Sequence, residues 1–99
     1  MTAIKEWTCE RLQREAEERG WKGTTADIGE RRLLTLDTSR WRIVCHFTWA
    51  SRADGDHTVL NMAELFFGYE HDKQQGLIGY QLENEVERLL AWMDNPHIA

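Results

Sequence analysis

Apolar and polar residues alternate strictly through "WRIVCHFTW", with Trp41, Ile43, Cys45, Phe47 and Trp49 on one side and Arg42, Val44, His46 and Thr48 on the other. A period of two belongs to a strand with one face in a core. The preceding "RRLLTLD" reads as a second strand, joined to the first through the turn Asp37–Thr38–Ser39–Arg40. After a polar loop built on Asp54–Gly55, "TVLNMAELFFGY" is dense in branched and aromatic residues and reads as a third strand. Three such runs linked by turn chemistry predict an antiparallel meander.

Helical spacing brackets this sheet. In "AIKEWTCERLQREAEERG", Ile4, Trp7, Thr8, Leu12 and Ala16 fall on one stripe, with Thr2 as the expected N-cap and Gly20 as the stop. In "LIGYQLENEVERLLAWMD", Ile78, Leu82, Val86, Leu89 and Met93 share a narrow arc, and Asn95–Pro96 ends the helix. The segment "WKGTTADIGE" reads as a connection, as does "EHDKQQG". Residues 1–99 therefore form a single α+β domain of order α-β-β-β-α, a three-stranded antiparallel sheet with two helices packed on one face.

The helix-free face is the puzzle. Leu65, Phe66 and Phe67 are consecutive and cannot all point inward, so a large apolar group such as Phe66 reaches the uncovered side. A fold-back of "GWKGTTADIG", with Trp21 and Ile28 as its contacts, would cover that side. A second copy or another protein would do the same. A bulge in the third strand would re-aim Phe66.

Charge sharpens the picture more than composition does. The net charge is −5, but residues 1–52 hold ten Lys and Arg against eight Asp and Glu, whereas residues 53–99 hold two against nine. Such asymmetry bears on partners rather than on fold. Glu83, Glu87 and Asp94 fall on one side of the last helix, a ridge of roughly 16 Å at the helical rise. Asp54, Asp56 and Asp72 bracket the third strand in loops. Apolar runs are too short to span a bilayer, and the N-terminal "MTAIKEWTCE" lacks a signal region, so an intracellular, cytoplasmic protein is expected. Cys9 and Cys45 have no metal-ligand spacing, and Cys45 reads as a buried structural thiol.

Catalytic signatures are missing from the sequence. There is no HExxH arrangement, no GxSxG elbow and no phosphate-cradling glycine loop. His71 and Asp72 beside Glu70 leave a small enzyme or ligand-sensing domain as an alternative; no cofactor is expected. The element order is also that of double-stranded RNA-binding domains, but "KQQGLIGYQLENEVE" offers one lysine and then three glutamates where phosphate contacts would need basic residues. Direct nucleic-acid binding is therefore not expected.

By size, acidity and element order the chain resembles the small phage-encoded inhibitors of bacterial CRISPR systems, the anti-CRISPR proteins. That resemblance implies a non-enzymatic inhibitor occupying a basic, nucleic-acid-binding groove of a partner such as a CRISPR effector. Glu83, Glu87, Asp94, Asp54, Asp56 and Asp72 would face the groove, and Phe66 would add buried area. A homodimeric structural or chaperone-like module pairing through the open sheet face is the alternative from a different class.

Overall fold

The computed structural model describes residues 8–52, 55–68, 73–78 and 86–96. In chain order they form α1 (Cys9–Glu18), β1 (Lys22–Ile28), β2 (Arg31–Asp37), β3 (Trp41–Arg52), β4 (Gly55–Phe67), β5 (Lys73–Ile78) and α2 (Val86–Asp94). All strands pair antiparallel in the order β1-β2-β3-β4-β5. The class is α+β as expected, but the sheet has five strands among the described residues rather than three.

Both additional strands are at the edges. The segment taken for a connection is β1, seven residues paired without interruption to β2 through the glycine turn at Gly29, whose φ is 61°. It does not fold back over the open face. Trp21 is buried in the core beneath the helices, and Ile28 is 60% exposed. On the other side, Lys73–Ile78 forms β5, so Leu77 and Ile78 belong to a strand instead of the last helix. Within the described residues that helix begins at Val86.

The helices are anchored by specific chemistry. Thr8, expected in the apolar stripe of the first helix, is its N-cap: its Oγ1 accepts from the Arg11 amide at 3.3 Å. Thr2, Ile4 and Trp7 lie outside the described residues. At the other end Gly20, with φ of 91°, completes a Schellman closure in which the amides of Gly20 and Trp21 donate to the carbonyls of Glu17 and Ala16. The Trp21 indole Nε1 then donates to the Met93 carbonyl at 2.8 Å, tying the exit of α1 to α2. Gly76 of β5 sits directly beneath Trp92, where a Cβ would come within 2.7 Å of the ring. Both helices therefore cover the same side of the sheet, sealing Leu12, Leu34, Leu36, Ile43, Cys45, Phe47, Leu65, Leu89 and Trp92 from water.

Two bulges set which side chains enter that core. The β3–β4 register steps from His46↔Met62 to Phe47↔Leu60, leaving Asn61 as the extra residue. The step turns Leu60 to the helix side beside Ala63 and Leu65, although its parity in the chain is opposite to theirs. The second step, between Leu65↔Gly76 and Phe66↔Gln74, falls on β5 at Gln75. Phe66 keeps its place on the helix-free face, opposite Arg42.

Candidate functional site

The helix-free face is read directly from the register, because antiparallel partners project to the same side. Across the sheet one row runs Lys22, Asp37, Arg42, Phe66, Gln74. The next runs Thr24, Thr35, Val44, Glu64, Leu77, and a third runs Ala26, Leu33, His46, Met62. Leu33, Val44, Met62 and Phe66 are half-buried by their neighbours, whereas Leu77 is 52% exposed. No helix among the described residues lies over them.

The polar groups on this face are paired sideways. Arg42 Nε donates to Asp37 Oδ1 at 2.7 Å and its Nη2 to Oδ2 at 3.2 Å, a two-pronged contact that raises the guanidinium further above its ordinary value. His46 Nε2 lies 2.8 Å from Glu64 Oε1, and Gln74 Nε2 donates to Glu64 Oε2 at 3.1 Å. Asn61 Nδ2 donates to Thr48 Oγ1 at 2.9 Å, so even the bulge residue is engaged. Arg42 and His46 thus look at carboxylates on neighbouring strands rather than at open water. Among the described side chains this face holds three cations (Lys22, Arg31, Arg42) and two anions (Asp37, Glu64).

Of the carboxylates expected to form one acidic surface, Asp56, Glu87 and Asp94 belong to described elements. Asp94 is engaged by Arg19 Nε at 2.8 Å, next to the exit of α1. Asp56 is opposite Ser51 near the far end of β3. From Arg42, which shares a row with Lys22 at that α1 exit, to Ser51 is nine strand residues, roughly 30 Å. Glu87 is exposed in the first turn of α2. Asp54, Asp72 and Glu83 lie outside the described residues, as do Glu70 and His71.

On the helix side, Arg32 binds Asp27 at 2.7 Å and Glu10 at 3.1 Å, and its hydrogen bonds hold the Asp27 carboxyl below its usual range. Its guanidinium also stacks over Trp49 at 4.7 Å, a ring left 41% exposed because β3 continues past the end of β2. Burial pushes the Cys9 thiol up to about 11, and Cys45, at the centre of the core, is raised by burial and by Cys9. Thiols held protonated in this way are packing groups rather than nucleophiles. Among the described residues no group of three His, Cys, Asp or Glu is placed to hold a metal ion. Nor is any helix there long and apolar enough to cross a membrane.

The sequence pattern located Phe66 on this face. It also put Met62 on the same side, but not Leu33 or the His46–Glu64–Gln74 contact, because these meet only once the register of four strands is set. No protein-family model, curated protein or solved structure matches the chain.

Proposed function

We propose that the chain is a non-enzymatic, cytoplasmic protein-interaction module that meets its partner through the helix-free face of the sheet. The observation that carries this reading is the make-up of that face. Leu33, Val44, Met62, Phe66 and Leu77 supply apolar area, and the central polar groups among them, Asp37 with Arg42 and Glu64 with His46 and Gln74, are hydrogen-bonded to one another. A surface whose polar groups are paired laterally keeps those bonds when water leaves, so its burial is favourable overall. Apolar groups of this kind grouped on one face mark an interaction site.

The anti-CRISPR-type reading, with an acidic surface filling a basic nucleic-acid-binding groove, is the rival for the same class of activity. Of the carboxylates that would carry it, Glu87 is exposed on α2, Asp94 is engaged by Arg19 and Asp56 is near the far end of β3, while Asp54, Asp72 and Glu83 lie outside the described residues. A photo-crosslinking amino acid placed at position 44, and separately at 87, in cells producing the full chain separates the two. Protein adducts from position 44 and none from 87 are expected. Adducts confined to 87 would transfer the role to the acidic helix, and silence at 44 would end the proposal.

A further inference from the structure

We infer that the free edge of β1 pairs antiparallel with β1 of a second copy of the chain, about a two-fold axis at Thr25. This edge is separate from the helix-free face and carries the inference independently of the docking role proposed there.

The backbone of β1 sets the geometry. Where β2 meets β3, the Trp49 amide donates to the Glu30 carbonyl at 3.3 Å and the Thr38 amide to the Trp41 carbonyl at 2.9 Å. Bonds in those places make Arg31↔Thr48 and Asp37↔Arg42 non-hydrogen-bonded pairs, so Arg31 and Asp37 turn their amides and carbonyls to β1. Their β1 partners Ile28 and Lys22 therefore bond inward, as do Thr24 and Ala26 between them. Gly23, Thr25 and Asp27 are left with amide and carbonyl directed off the sheet. No described strand meets them there, and Thr24 through Glu30 are all exposed. Neither a proline nor a bulge in the register with β2 blunts this edge.

An extended strand satisfies such an edge, and self-complementarity names which one. In an antiparallel pair centred on Thr25, Gly23 faces Asp27 of the second copy and Thr25 faces its own counterpart. All three outward residues then form pairs that exchange two backbone hydrogen bonds each. The same register keeps both helix-free faces on one side, with Thr24 against Ala26 and Lys22 against Ile28. The Lys22 stem covers Ile28 of the second copy, a side chain otherwise 60% exposed. Its ammonium comes within reach of Glu30 just beyond. Lys22 and Glu30 have no ion-pair partner among the described residues of their own copy, and Asp37, beside Lys22 on β2, is engaged by Arg42. Opposite charges at the two ends of one edge match in an antiparallel copy, whereas a parallel copy sets like against like.

The test is sizing chromatography with light scattering on the full chain over a wide concentration range. Wild type is expected to reach the mass of two chains. Thr25→Pro should raise the dimer dissociation constant roughly a hundredfold or more while keeping wild-type circular dichroism, because the amide it removes faces away from β2. Lys22→Glu and Glu30→Lys should each weaken the dimer roughly threefold to tenfold, and the two combined should restore it. Thr25→Cys, treated with oxidised glutathione, should link two chains, its Cα atoms lying about 5.5 Å apart across the axis. Ile28→Cys, far from its counterpart in this register, should not. A wild-type monomer at every concentration, a dimer that survives Thr25→Pro, a double charge reversal that fails to restore pairing, or equal linkage through position 28 would each overturn the inference. Adducts from position 44 read the docking face separately, so either proposal can fail alone.

Discussion

Two faces of one strand divide this molecule. Ile43, Cys45 and Phe47 lie under the helices with no exposure at all, while Val44 and His46, a single residue away, sit half-buried with no described helix above them. The helix side is held by close packing: Trp92 against Gly76, Gln13 against Gly23, Leu12 and Ala16 over β1 and β2. The other side is held by lateral contacts between strands, His46 to Glu64 to Gln74 and Arg42 to Asp37. One face has spent its apolar surface on folding. The other keeps some in reserve, with its central polar groups hydrogen-bonded to one another.

The sharpest way to break this contrast is to truncate one residue from each face. Phe47→Ala should cost about 3–5 kcal/mol in chemical denaturation, the range for a fully buried aromatic. Val44→Ala and Phe66→Ala should each cost about 1 kcal/mol or less, since their side chains are still partly hydrated. A Phe66 variant as damaging as the Phe47 variant would place both residues in one core and dissolve the distinction.

Alkaline pH probes the sealed side next. Cys9 ionises near 9.0 in the unfolded chain and only at about 11 when folded, so the folded state binds its proton more tightly. The stability this confers is fully present below pH 9 and is lost as pH rises toward 11, by roughly 2 kcal/mol. Cys45 acts in the same direction. Unfolding midpoints measured across that window should fall less steeply for Cys9→Ala than for wild type; equal slopes would show that the Cys9 thiol is hydrated.

The two tight glycines give a finer comparison. Gly76→Ala drives a methyl to 2.7 Å from the Trp92 ring, which is buried and cannot move away, and should cost about 1–3 kcal/mol with a change in tryptophan fluorescence. Gly23→Ala meets the Gln13 side chain at 2.8 Å, but that chain is flexible and half-exposed, so a cost below about 1 kcal/mol is expected. Thr8→Ala should remove about 1 kcal/mol by deleting the N-cap of α1, read as lost helicity and a lower melting temperature.

What could be read in advance follows from how strongly burial marks each segment. The hairpin of β2 and β3 was legible because its two strands are interior and alternate cleanly, with Leu34, Leu36, Ile43, Cys45 and Phe47 inward. Edge strands carry a fainter mark. The helix-side positions of β1 are Gly23, Thr25 and Asp27, one kept small beneath Gln13 and one turned to Arg32, so no apolar alternation announces a strand. Leu77 and Ile78 in β5 fit a helical arc as well as a strand, and short apolar pairs cannot settle the choice. At Asn61 a single inserted residue reverses the side on which Leu60 falls, which no periodicity can reveal.

The sequence by itself determined the class of the fold, the central hairpin, the stop at Gly20, the burial of Cys45 and the presence of Phe66 on the uncovered side, because each follows from local periodicity or local backbone chemistry. Tertiary structure decided the number of strands among the described residues and which of their charges meet. Asp94 finds Arg19, and His46 finds Glu64, across chain separations that no local rule spans. Pairwise electrostatics and strand register depend on distances through space, and those exist only once the chain has closed on itself.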